Sequence, residues 1–203
     1  MTEPLQAFIH QVQEEAPFIL EERRAALETL SDLIHQQRDI KGSAELLFVC
    51  THNSRRSQFA QVWAQFFAKA NGLENVTCYS GGTETTAVYE STIAAIARAG
   101  LPFQVSQKEL NPEYKLEFAD GMGGITLFSK VYDDPSNPQS GFTAIMTCSE
   151  ADEACPTVAG ALIRVPLTYE DPKHSDGSPE EEENYDETCL IIASEMYYVM
   201  SQL

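Results

Sequence analysis

The sequence is short of positive charge. Thirteen Lys and Arg stand against 31 Asp and Glu, a formal net charge of −18 over 203 residues. Binding to nucleic acid or to an anionic membrane requires basic surface to displace counterions, so neither is expected as a partner. Long apolar runs are also missing: nothing approaches the roughly 20 residues that span a bilayer. The opening MTEPLQAFIHQVQEEAP has neither a basic start nor an apolar centre, so it does not read as a secretory signal, and a cytoplasmic protein is expected. Histidine is scarce: His10, His35, His52 and His174 are the full set, none at a zinc-like spacing from a cysteine pair. No metal and no cofactor is therefore expected. The five cysteines, Cys50, Cys78, Cys148, Cys155 and Cys189, are an odd number and do not suggest a structural disulfide framework. They leave buried thiols or reactive ones.

The patterns that are present indicate an α/β fold. Residues 4–40 carry apolar residues at helical spacing in two runs, with Leu5, Phe8, Ile9 and Val12 in the first and Leu27, Leu30, Leu33 and Ile34 in the second. Ala16-Pro17 separates them, which predicts an N-terminal helical hairpin over residues 1–43. From residue 44 the rhythm changes. ELLFVC is a continuous apolar run, as in a strand buried on both faces of a parallel sheet. Phe59, Val62, Trp63, Phe66 and Phe67 then share one helix face closed by Asn71-Gly72. NVTCYS reads as the second strand and TAVYESTIAAIARAG as the second helix. FTAIMTC and ALIRVPL are two further strands, and a last helix runs from about Glu182 to Met200. Alternation of this kind predicts, over 44–203, a three-layer sandwich with a mainly parallel, twisted four-stranded sheet. Residues 111–142 depart from it; EYKLEFA and ITLFSKVYDD flank DGMGG, which reads as an inserted β-hairpin. The acidic stretch DGSPEEEENYDE at 176–187 reads as a solvated loop and helix start.

Chemistry is concentrated in CTHNSRRS, residues 50–57. A cysteine at a strand end is usually core, and C-x5-R alone means little. Here, however, Cys50 sits at the C-terminal edge of the first sheet strand, where open α/β sheets bind ligands, and residues 51–55 lead into a helix N-terminus. Free N–H groups and the positive helix end make such a loop an anion cradle. A thiol placed there is favoured as thiolate, the nucleophilic form. Arg56 can fork onto two oxygens of a tetrahedral oxyanion. Ser57 can donate to the sulfur, and Asn53 tolerates the left-handed backbone that a tight loop needs.

This loop resembles the C-x5-R-S loop of the low-molecular-weight protein tyrosine phosphatase superfamily, which includes thioredoxin-coupled arsenate reductases; the resemblance covers roughly residues 44–203. It implies that Cys50 is the nucleophile, that residues Thr51, His52, Asn53, Ser54, Arg55, Arg56 and Ser57 bind the oxyanion, and that an Asp before Pro late in the chain is the general acid. Asp171-Pro172 fits, with Glu170 as the neighbouring alternative. Two positions depart from most relatives. His52 replaces a glycine and either tunes the cradle or points outward. Arg55 replaces a common second cysteine and adds a cation for an anionic substrate.

The stretch MTCSEADEACPT separates two activities. A Cys at a strand end, a short acidic helix and Cys-Pro resemble the resolving pair of thioredoxin-coupled arsenate reductases. The resemblance then implies a relay from Cys50 to Cys148 to Cys155, with arsenate as substrate and a thioredoxin-like reductant as partner. Ser149 can cap the intervening helix and Pro156 can end it. A seven-residue helical offset rises about 10.5 Å, and a disulfide spans Cα separations of only about 7 Å, so forming the 148–155 bond requires the helix to unwind. The alternative is phosphomonoester hydrolysis, as by a protein tyrosine phosphatase, using Cys50, Arg56 and Asp171 without the relay. Cys78 and Cys189 read as core.

Overall fold

The structure, a computed structural model, describes residues 1–119, 121–154 and 157–203, and of Ala154 the backbone only. Two helices open the chain, α1 (Glu3–Glu15) and α2 (Glu21–Lys41), joined by a 3-10 turn at Ala16–Phe18 where Pro17 cannot continue an α-helix. There follow β1 (Ala44–Cys50), α3 (Arg56–Ala70), β2 (Val76–Gly82) and α4 (Glu90–Arg98). Three short strands come next, β3 (Phe103–Val105), β4 (Tyr114–Glu117) and β5 (Gly124–Leu127). The chain closes with β6 (Phe142–Met146), α5 (Ser149–Ala154), β7 (Ala161–Pro166), a 3-10 turn at Pro172–Ser175 and α6 (Glu181–Ser201). No helix of the described residues is long and apolar enough to cross a membrane.

The main sheet has four strands in the order β2-β1-β6-β7, all parallel. Up to Val49 the apolar residues of β1 alternate between two cores, as the period of two requires, and Cys50 at the strand end breaks the alternation. Leu46 and Phe48 enter the larger one with Trp63, Phe66, Tyr185 and Met196. Leu47, Val49 and Cys50 enter a smaller one with Met146, Cys148 and Ala151.

Two expectations change. The inserted hairpin is part of a three-stranded antiparallel sheet, β3-β4-β5, which begins at Phe103, before the expected start at 111. Phe103–Val105 is three residues long with no buried position, so the sequence carries no alternation from which to read it. Residues 128–141 return as a loop instead of continuing a strand, and Val131 touches the main sheet through a single bridge to Gly82.

The N-terminal helices join the larger core. Leu5 and Val12 of α1 and Leu27, Leu30 and Ile34 of α2 are buried in it, and Phe8 stacks on Trp63 at 4.7 Å between ring centroids. Gly100 makes this fit possible: a Cβ there would lie 2.3 Å from the backbone N of Leu5, and its φ of +96° is one that glycine tolerates best. Arg23 of α2 grips Glu195 of α6 with two hydrogen bonds of 2.7 and 2.8 Å.

Candidate active site

Parallel pairing brings the C-terminal ends of β1, β6 and β7 to one edge of the sheet, and the loops that leave those ends meet there. Cys50 ends β1 and is 4% exposed. Its Sγ accepts the Asn53 backbone N–H at 3.2 Å and lies 3.1 Å from the Ser57 hydroxyl. The Asn53 side-chain amide donates to Ser57 Oγ at 2.9 Å, which leaves the serine proton free to point at the sulfur. Both contacts aim a hydrogen-bond donor at the sulfur. Among the described residues, Asn53 is the one non-glycine with positive φ, at 49°. Its side chain is held in turn by the Lys130 backbone N–H at 3.0 Å. Gly82 presses on the loop from β2: a Cβ there would meet Thr51 O at 2.6 Å and Asn53 N at 2.8 Å.

Hydrogen-bond donors are left over at this loop. The backbone N–H groups of His52, Ser54 and Arg55 have no acceptor among the described residues. Arg56, 5% exposed, donates from Nη1 to the Tyr169 carbonyl at 3.0 Å and from Nη2 to Asp171 Oδ2 at 2.5 Å. Its Nε is buried without a partner. Unsatisfied buried donors beside a buried sulfur are what a bound oxyanion would satisfy.

Asp171 lies on the loop after β7. Its other oxygen accepts the Lys173 N–H at 3.1 Å, which caps the 3-10 turn begun by Pro172. Cys50, Arg56 and Asp171 are thus brought together across 121 residues of chain. Cys148, two residues beyond β6, is fully buried, and its Sγ lies 3.5 Å from the hydroxyl of Thr51 in the loop. Burial pushes its thiol above the ordinary range, against the opposing pull of Thr51, the Ala151 N–H and the Arg56 charge. Cys155 and Pro156 lie outside the described residues, so the second half of the expected thiol pair has no geometry to report.

Several residues expected at the oxyanion turn elsewhere with their side chains. Arg55 is committed to Asp176 at 2.6 Å and the Tyr185 hydroxyl at 2.5 Å, and stacks 4.2 Å over the Tyr89 ring. Its charge is answered before any substrate arrives; it pins the loop to α6. His52 turns outward to Glu84, with its Nε2 3.7 Å from the carboxylate. Ser54 Oγ donates to the Ala87 carbonyl at 2.7 Å. For these three only the backbone faces the cradle's task. Glu170, the alternative acid, is exposed and has no hydrogen bond or ion pair among the described residues, whereas Asp171 is on the arginine.

Other supports carry no local motif. Ser129 donates to the His52 carbonyl at 2.8 Å, and Lys130 accepts the Gly82 N–H at 2.8 Å through its own carbonyl. Both follow the insert and become part of the site only when the chain returns to the sheet. Tyr169, which holds Arg56 by its carbonyl, gives no sign of that role in sequence.

Residues 45–119, which contain the whole Cys50–Ser57 loop, match the family model for low molecular weight phosphotyrosine protein phosphatase. That match spans 75 of the 203 residues, and over them the chain is similar to that family. Solved structures share the fold at low identity. A low molecular weight phosphotyrosine phosphatase from Vibrio cholerae O395 covers 79% of this chain and 96% of its own at 15% identity, with a TM-score of 0.51. The low molecular weight protein tyrosine phosphatase from T. tengcongensis covers 79% of this chain and 100% of its own at 17% identity, also with a TM-score of 0.51. YfkJ from Bacillus subtilis covers 79% and 94% at 18% identity, with a TM-score of 0.52. No curated protein matches the chain.

Proposed function

We propose that this protein is a cysteine-nucleophile enzyme of the low-molecular-weight phosphotyrosine phosphatase superfamily acting on a tetrahedral oxyanion, and that the reaction is the reduction of arsenate. The first part rests on the buried Cys50 sulfur surrounded by unsatisfied donors and by the Arg56–Asp171 pair. The second rests on Cys148, a buried thiol in contact with the cradle through Thr51.

In this reading the Cys50 thiolate attacks arsenic(V). An S–As bond forms while one arsenate hydroxyl, protonated by Asp171, leaves as water. Arg56 and the loop N–H groups hold the remaining oxygens. Cys148 then attacks the Cys50 sulfur and gives its proton to an oxygen of the adduct. The S–S bond forms, the S–As bond breaks, and its electron pair stays on arsenic, which departs as arsenite. Two thiols are oxidised as arsenic(V) becomes arsenic(III). Exchange with Cys155 frees Cys50, and a dithiol reductant of the thioredoxin class reduces the remaining disulfide.

Hydrolysis of a phosphomonoester is the second reading, supported by the Arg56–Asp171 contact, which keeps a carboxyl group beside the arginine proposed to hold the substrate. It needs neither Cys148 nor Cys155. The deciding experiment is arsenate-dependent NADPH oxidation with thioredoxin and thioredoxin reductase, on the native chain and on Cys148→Ser. Turnover in the native chain that disappears in the variant, with aryl-phosphate hydrolysis kept, supports the relay. Absence of arsenate turnover beside brisk aryl-phosphate hydrolysis makes the protein a phosphatase.

A further inference from the structure

A second cavity, of about 660 Å³, opens between the 16–20 turn, α6 and the chain that leaves β7. This volume suits a small organic ligand. Its walls are apolar and open to solvent: Phe18 is 79% exposed, Leu20 77% and Ile191 47%. One hydroxyl in its lining, Ser194 Oγ, is buried without a hydrogen-bond partner, on a residue only 3% exposed. The Tyr169 hydroxyl, by contrast, interacts with Glu195 and Arg23. An orphaned hydroxyl costs free energy unless something enters to meet it.

The charge around the cavity selects what enters. Arg23 is neutralised by its two bonds to Glu195 and lies 4.7 Å over the Tyr169 ring. Glu15, Glu170 and Glu187 line the same space and make no ion pair or hydrogen bond among the described residues. Three free carboxylates around an apolar wall repel anions and attract cations.

We propose that this cavity binds a small organic cation with an apolar body, an aryl- or alkylammonium compound. The body lies against Phe18, Leu20 and Ile191, the ammonium faces the free carboxylates, and Ser194 Oγ is the unpartnered acceptor in the wall. The site is separate from the oxyanion cradle. It is nevertheless adjacent to it, because Tyr169 lines the cavity with its ring and holds Arg56 with its carbonyl.

Isothermal titration of the full chain tests this with 2-phenylethylammonium and with 3-phenylpropionate, an arylalkyl probe of similar size and opposite charge. The ammonium is expected to bind at least tenfold more tightly, and saturating inorganic phosphate is expected to leave it bound. Glu187→Gln and Leu20→Ser change exposed side chains that the fold does not need, and each is expected to weaken binding about two- to fivefold. Ser194→Ala, which removes the buried hydroxyl without adding bulk, is expected to weaken it further. Equal binding of the two probes, displacement of the ammonium by phosphate, no binding at all, or unchanged affinity in both Glu187→Gln and Leu20→Ser would overturn the proposal.

Discussion

Arg56 Nη2 and Asp171 Oδ2 lie 2.5 Å apart, so the group proposed to hold the oxyanion and the group proposed to protonate its leaving oxygen are bound to each other. Substrate must share the guanidinium with this carboxylate, or displace it.

That competition gives Asp171→Asn two opposite effects. Turnover of a phenyl phosphate, whose leaving oxygen needs a proton, is expected to fall about a hundredfold or more. Inorganic phosphate, freed from a competing negative charge, is expected to bind as tightly as to the native chain or several-fold more tightly. Steady-state kinetics and phosphate titration on one preparation check both. Weaker phosphate binding would mean that Asp171 orders Arg56 more than it competes for it.

Gly82 sits outside the C-x5-R motif, yet its replacement is expected to be as damaging as a change within it. In Gly82→Ala the new methyl would meet backbone atoms of Glu84, Thr51 and Asn53 at 2.5, 2.6 and 2.8 Å, none of which can swing aside like a flexible side chain. The cradle should lose phosphate affinity by at least tenfold, with a lower thermal midpoint. Phosphate titration and calorimetry read the two effects.

Lys130 supplies a pH test. Its side chain is 5% exposed, with the amine 4.4 Å from the centre of the Phe128 ring, and burial pushes its pKa down to about 8 against a smaller opposing effect of Asp134. The folded chain thus gives up this proton near pH 8, while the unfolded chain keeps it until near the ordinary lysine value. Between those limits the unfolded state binds more protons, so this residue's contribution to stability rises with pH, and its penalty is complete below pH 8. Lys130→Met is expected to be more stable than the native chain at pH 7, by on the order of 1–3 kcal/mol, with the difference shrinking as pH rises towards 10. Urea unfolding across that range measures it. An advantage independent of pH would point to better packing alone.

The N-terminal helices should contribute to the stability of the whole chain. Leu30 is fully buried in the core that also contains Trp63 and Met196. Leu30→Ala is expected to cost about 2–5 kcal/mol. Circular dichroism and Trp63 fluorescence should still report a single unfolding transition at a lower midpoint. Two separated transitions would show that α1 and α2 come off first.

Much of this molecule could be read from local pattern. ELLFVC, the apolar faces of α3 and α6, the break at Pro17 and the loop from Cys50 to Ser57 are contiguous, and strand burial, helix periodicity and the geometry of a strand–loop–helix junction are all short-range properties. Asn53 adopting positive φ belongs with them, because it follows from how tightly seven residues must turn. Asp171 was linked to the Cys50 loop only through resemblance, and its contact with Arg56, which the sequence did not suggest, depends on β1 and β7 running parallel in one sheet. The direction of Arg55 was decided by folding alone. Its sequence neighbours place it beside the cradle, but Tyr185 and Asp176, 130 and 121 residues away, draw its guanidinium to α6. The same holds for Lys130 and Tyr169, which brace the loop through backbone groups that most residues could offer. A backbone carbonyl leaves no mark in a sequence. Only the packing of distant elements selects which carbonyl meets which arginine.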